Sequence, residues 1–158
     1  MIRPLGDPHH FGRKVYLDAE GIIVKPRTLF WERMILDRSG PLRQCLIALQ
    51  GSSRAGANSL WFDTLPNAEF VKSSDHESIG VRPISLLPPQ SISPSEFEDI
   101  GRVVGLLHWL GVGDLHSKNI VFGRDSNGKL VFGPIDVELI FDDFTLLSQS
   151  LLLPSKGV

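Results

Sequence analysis

Gly113-Asp114-Leu115-His116-Ser117-Lys118-Asn119 gathers five polar side chains into seven residues, directly behind a helix-breaking Gly111-Val112-Gly113. What flanks it decides how it is read. Upstream, Ser93-Pro94-Ser95-Glu96 has a helix start written into it: a Ser N-cap, Pro in the first turn and Glu at the third position of a capping box. The spacing predicts a helix over 94–110, with Phe97, Ile100, Val104, Leu107 and Leu110 on one face. Downstream, two short strands over 120–122 and 130–132 are joined by Asp125-Ser126-Asn127-Gly128, a strong hairpin turn. The hairpin leads into Phe132-Gly133-Pro134-Ile135-Asp136-Val137-Glu138, where Asp136 ends an apolar run. A polar loop and an acidic turn are thus presented from one helix and one hairpin.

The first half of the chain reads as β-rich. A strand over 14–17, a turn at Asp18-Ala19-Glu20-Gly21 and a strand over 22–25 ended by Pro26 are followed by a helix over 29–37. Leu29, Phe30, Met34 and Ile35 supply its apolar face, and Ser39-Gly40-Pro41 ends it. A short helix over 42–49, an exposed loop over 51–58 and a short apolar strand at Leu60-Trp61-Phe62 follow. The stretch 70–87 has no firm assignment, and 88–94 is a connector rich in Pro and Ser. The fold class is therefore α+β: a small β-rich half over 1–65, a connector over 66–93 and a mainly helical half over 94–158. No internal repeat is present.

At 158 residues the chain is one domain by length, able to bury a core without disulfides. With 42% hydrophobic residues and a mean hydropathy of +0.04 it reads as a soluble globular protein. The net charge of −2 carries no footprint for nucleic acid or an anionic membrane. No stretch is long and apolar enough for a membrane span, and residues 1–10 lack the apolar core of a signal peptide, so a reducing cytoplasm is the expected location. The single cysteine, Cys45, lies in Cys45-Leu46-Ile47-Ala48-Leu49 and is expected to be a buried, inert thiol. One cysteine also excludes a cysteine-ligated zinc centre.

The polar segments suit phosphoryl transfer. That reaction needs a carboxylate near the attacking hydroxyl and hard oxygen ligands for a metal that bridges the phosphates. In protein kinases the catalytic Asp and a metal-binding Asn stand five residues apart on one loop. Asp114 and Asn119 have that offset, and Asp136 follows where a second metal ligand is expected. Asx turns would explain Asp114 or Asn119 singly, but not the paired offset together with the later Asp136. His116 reads as an orienter of Asp114 rather than a metal ligand.

The same residues carry a resemblance. Gly113-Asp114-Leu115-His116 with Asn119 looks like the catalytic loop of aminoglycoside phosphotransferase-type kinases, and Ile135-Asp136 looks like their metal-binding segment. A closer similarity is to the kinase-like dehydratase domain of class II lanthipeptide synthetases. It rests on Asp7-Pro8-His9-His10 through Ile23-Val24-Lys25-Pro26-Arg27-Thr28, on Ile100-Gly101 through Asn119, and on Pro134 through Phe141, with 42–92 matching weakly.

The resemblance implies a minimal protein-kinase-like fold and an ATP- and Mg²⁺-dependent phosphotransferase. Asp114 and His116 would be catalytic, Lys25 would contact nucleotide phosphate, and Asn119 and Asp136 would hold metal. Glu32, on the helix after Lys25, is the candidate ion-pair partner of that lysine, with an ordinary exposed glutamate as the equal alternative. Gly6 to Gly12 sits where a phosphate-covering loop would be but lacks Gly-x-Gly-x-x-Gly, and His9 and His10 read as loop residues. Arg27 and Arg82 are either anion contacts or surface residues. Trp61-Phe62 either holds an adenine at a hinge or packs in the core.

The family's members phosphorylate Ser or Thr of a precursor peptide and then eliminate the phosphate. The residues for elimination lie outside the matching segments, so dehydration is not carried across. The acceptor is a peptide Ser/Thr or a small-molecule hydroxyl. A partner protein or a second copy is expected to complete the substrate site, and the apolar Leu146-Leu147 and Leu151-Leu152-Leu153 form either core or a docking surface. A non-catalytic nucleotide- or peptide-binding module and one part of a split synthetase are the alternatives.

Overall fold

The computed structural model describes residues 3–9, 13–25, 27–50, 60–72 and 79–137. Strands β1 (Arg3–His9), β2 (Arg13–Leu17), β3 (Ile23–Val24), β4 (Phe70–Lys72) and β5 (Ile79–Val81) form one antiparallel sheet in the order β1-β2-β3-β5-β4. The turn between β2 and β3 follows the sequence. Asp18 Oδ1 accepts hydrogen bonds from the backbone N–H groups of Glu20 (2.8 Å) and Ile22 (2.9 Å), and Gly21 takes φ 77°. Between β3 and β4 the chain makes helices α1 (Phe30–Leu36) and α2 (Pro41–Gln50) and a 3₁₀ turn, Trp61–Thr64. The architecture is mixed α+β, with a small antiparallel sheet and few helices.

Helix α3 (Pro94–Trp109) begins as the sequence predicts. Ser93 Oγ accepts from the Glu96 N–H at 3.3 Å and Glu96 Oε2 accepts from the Ser93 N–H at 2.8 Å. Arg124 then grips both oxygens of Glu96 from the hairpin, at 2.7 and 3.1 Å, which holds that carboxyl down to a pKa of about 2. The helix ends in a Schellman turn: the Val112 N–H reaches Leu107 O, the Gly111 N–H reaches His108 O, and Gly111 takes φ 58°. That turn aims the chain out of α3 and into the Asp114 loop. Strands β6 (Ile120–Arg124) and β7 (Leu130–Pro134) form the expected hairpin, with Phe122 opposite Phe132.

Ile35, Leu36, Phe62, Leu65, Val103, Leu107, Val112, Leu115 and Val137 form the core, so it joins α1, the 3₁₀ turn, α3 and the segment beyond β7. Three expectations are corrected. Leu60-Trp61-Phe62 leads into a 3₁₀ turn rather than a strand, because Asp63 Oδ2 accepts the Leu60 N–H and curls the chain. Phe97 is 69% exposed, since the buried row of α3 runs through Val103, Leu107 and Leu110, with Ile100 half-buried. Cys45 is exposed because α2 turns Arg43, not Cys45, inward. The buried Arg43 guanidinium donates to the carbonyls of Leu65 (3.0 Å) and Pro66 (2.6 Å). The expected loop over 51–58, His10 and the apolar tail lie outside the described residues. Among the described residues no helix is long and apolar enough to cross a membrane.

Candidate functional site

A cavity of about 860 Å³ opens between the sheet and the Asp114 loop, within the size range of small-molecule sites. Leu5, Val15, Ile23, Ala68, Val81 and Ile84 give it an apolar lining. Lys25, Asp114, His116, Asn119 and Asp136 give it a polar one. The wall is built by strand alternation: Val15 and Ile23 lie on one face of the sheet and line the cavity, and Lys25 follows directly after β3.

Lys25, Arg27, Glu32 and Asp136 meet there in one charge cluster. Lys25 Nζ donates to Glu32 Oε1, to Asp136 Oδ1 at 3.0 Å and to Ile135 O at 3.3 Å. Arg27 donates to both oxygens of Glu32, at 3.2 and 3.3 Å, to Asp136 Oδ1, and to Val137 O at 3.5 Å. Glu32 is 1% exposed, so burial pushes its carboxyl above the usual range while Lys25 and Arg27 pull it back. Lys25 and Asp136 are the members that line the cavity, and Asp136 is the more open, its side chain 26% exposed.

The loop residues meet separately. Asn119 Nδ2 donates to Asp114 O (3.0 Å) and Asp114 Oδ2 (3.1 Å). Asp114 has φ 56°, a left-handed conformation that Asp tolerates better than most residues and that its bond to Asn119 helps hold. The Lys118 N–H donates to His116 Nδ1 at 3.2 Å, which leaves Nε2 to carry the proton in the neutral ring. That nitrogen lies 3.7 Å from Asp114 Oδ1, an electrostatic neighbour rather than a hydrogen-bond partner. The Ile135 N–H donates to Asn119 O at 2.9 Å, so the acidic turn and the loop are stitched together by backbone.

Three hard oxygens are left over. Among the described residues, Asp114 Oδ1, Asn119 Oδ1 and Asp136 Oδ2 accept no hydrogen bond, and all three residues line the cavity. No group of three His, Cys, Asp or Glu side chains able to hold a metal occurs among the described residues. The available donor set is two carboxylates and one amide. Such a set suits Mg²⁺, which keeps waters and shares substrate phosphates rather than sitting in an all-protein cage.

All six residues singled out from the sequence therefore line one cavity or, in the case of Glu32, stand directly behind it. Arg27, read from sequence as either an anion contact or a surface residue, is nine-tenths buried in the charge cluster. Trp61 and Phe62 do not line the cavity; Phe62 is core, and Arg82-Pro83-Ile84 form that wall instead. The signal for this segment was weak, because Arg82 and Pro83 interrupt an apolar run just after β5. No protein-family model, curated protein or solved structure matches the chain.

Proposed function

We propose that the chain is an ATP- and Mg²⁺-dependent phosphotransferase of kinase-like fold, transferring a phosphoryl group to a hydroxyl of a peptide Ser/Thr or a small molecule. The observation that carries the reading is the meeting of Lys25, Glu32 and Asp136 beside the Asp114–Asn119 loop at one cavity. In protein kinases a lysine on the third strand pairs with a glutamate on the following helix, and both must be in place for transfer. Lys25 leaves β3 and Glu32 lies on α1, the next helix. The antiparallel sheet, with its helical insertion between β3 and β4, supports the same reading.

The cavity's mixed lining suits a nucleotide. Its apolar residues would take the base and its polar residues the phosphates. Lys25 offsets phosphate charge; Asn119 Oδ1 and Asp136 Oδ2 are the oxygens that would hold the metal. Magnesium, when bound, neutralises and aligns the phosphates. Asp114, exposed to the cavity and held by Asn119, would accept the proton of the attacking hydroxyl, with the His116 ring beside it limiting its movement. Such chemistry belongs in the ATP-containing cytoplasm.

Calorimetric titration with ATP and Mg²⁺, followed by transfer to added hydroxyl acceptors or to the chain itself read by intact mass, tests the reading. Metal-dependent ATP binding with transfer, both lost in Asp136→Ala, is expected. Binding without transfer to any acceptor would make the chain a nucleotide-binding module, and no binding at all would overturn the proposal.

A further inference from the structure

Arg27 does something that a single lysine beside a buried glutamate cannot. Its guanidinium forks onto both oxygens of Glu32 and also reaches Asp136 Oδ1 and the Val137 carbonyl. Lys25 reaches the same two oxygens, Glu32 Oε1 and Asp136 Oδ1. Among the described residues the cluster therefore holds two cations on two carboxylates, and the cations share their acceptors. Both bind Asp136 through Oδ1, which leaves Oδ2 without a hydrogen bond among the described residues.

The sharing matters because Glu32 is 1% exposed. A buried carboxylate that loses its cation is strongly penalised, so a lone lysine would have to divide one charge among Glu32, Asp136 and phosphate. With Arg27 present, Glu32 keeps a bidentate partner when Lys25 moves. A planar fork can serve two carboxylates at once; an ammonium, as a point charge, cannot replace that geometry.

We infer that Arg27 is a positioning residue: it holds Glu32 and Asp136 Oδ1, so that Lys25 can turn to nucleotide phosphate while Asp136 Oδ2 stays directed to metal. The inference rests on the nucleotide-binding reading and goes beyond it by separating the cation that positions from the cation that binds.

The test is binding, not turnover. Calorimetric titrations with a non-hydrolysable ATP analogue and Mn²⁺ are made on the wild type, Arg27→Met, Arg27→Lys and the double variant Arg27→Met/Glu32→Gln. Arg27→Met should lose about tenfold or more in affinity, in line with other residues that orient a metal ligand from behind. Adding Glu32→Gln should recover most of that loss, because no buried carboxylate then retains Lys25. A merely structural role predicts the opposite, with the double variant binding no better than the single. Arg27→Lys keeps the charge without the fork and should weaken binding in the same direction, which keeps the test open if Arg27→Met does not fold. Unchanged affinity in Arg27→Lys or Arg27→Met, or no recovery in the double variant, overturns the inference alone. A wild type that binds no nucleotide overturns the functional reading beneath it.

Discussion

Lys25 and Asp136 are 111 residues apart in the chain, yet Lys25 Nζ stands 3.0 Å from Asp136 Oδ1. The contact joins the end of a strand in the five-stranded sheet to the turn beyond the two-stranded hairpin. Both residues line the cavity, and Glu32 and Arg27 bond to them from outside its lining.

Lys25→Met should abolish productive transfer while leaving the fold in place. Arg27 still pairs Glu32 and Asp136, so no buried carboxylate is orphaned. A loss of at least ~10²-fold in transfer is expected, the scale seen when one preorganised electrostatic contact is removed. Phosphoryl transfer measured beside a circular dichroism melt checks both halves: an active variant, or one that melts far earlier, counts against the assignment.

Glu32→Ala should be a folding mutation. It takes from Lys25 and Arg27, with side chains 8% and 10% exposed, a carboxylate that both of them hold. Breaking a buried pair from one side costs about 3–5 kcal/mol, which a urea titration would read as a large drop in midpoint.

Asn119→Ala and Asp136→Asn should each weaken metal-dependent nucleotide binding, while binding of nucleotide without metal changes less. Asn119→Ala should in addition free Asp114, because it removes the amide that holds Asp114 Oδ2 at 3.1 Å. Calorimetry with and without Mg²⁺ separates the two effects. Equal losses in both conditions would argue against a metal role.

Arg124→Gln should flatten the acid limb of the stability curve. Glu96 is held at about 2 against a usual 4.5, chiefly by its hydrogen bond to Arg124. A depressed carboxyl stabilises the fold above its unfolded value, and that contribution fades as pH falls toward the folded one. The stability gap between wild type and variant should therefore be full at neutral pH and narrow between about 4.5 and about 2. Urea midpoints taken across that window are the measurement.

Two glycine substitutions should move in opposite directions. A Cβ on Gly133, where φ is 150°, would meet Pro66 Cδ at 2.7 Å, so Gly133→Ala should cost about 1–3 kcal/mol and disturb Asp136 three residues on. Gly105, mid-way along α3, has nothing within 4 Å of such a Cβ, and Gly105→Ala should stabilise by roughly 0.5–1 kcal/mol. Thermal melts of the pair give the comparison.

Much of this was legible locally. The capping box at Ser93 and Glu96, the Asp125–Gly128 turn and the Asp18 turn each depend on a side chain bonding backbone within four residues, so short windows of sequence suffice to find them. The Asp114–Asn119 offset belongs to the same class, since Asn119 bonds Asp114 across one loop. Cys45 and Phe97 escape such windows because hydrophobicity says that a residue can be buried, not which face of its element has a neighbour. On α2 and α3 that choice was made by Arg43 reaching Leu65 and Pro66 and by Val103 and Leu107 entering the core.

The sequence by itself determined the short-range parts: the helix starts, the hairpin, the polar loop and the six residues worth singling out. Only the tertiary structure decided that Arg27 belongs with Lys25, Glu32 and Asp136, and that Arg82-Pro83-Ile84 rather than Trp61-Phe62 wall the cavity. The reason is physical. A capping bond is dictated by neighbours a few residues away, whereas a charge cluster spanning residues 25–136 exists only once the sheet, α1 and the hairpin have packed around a common core.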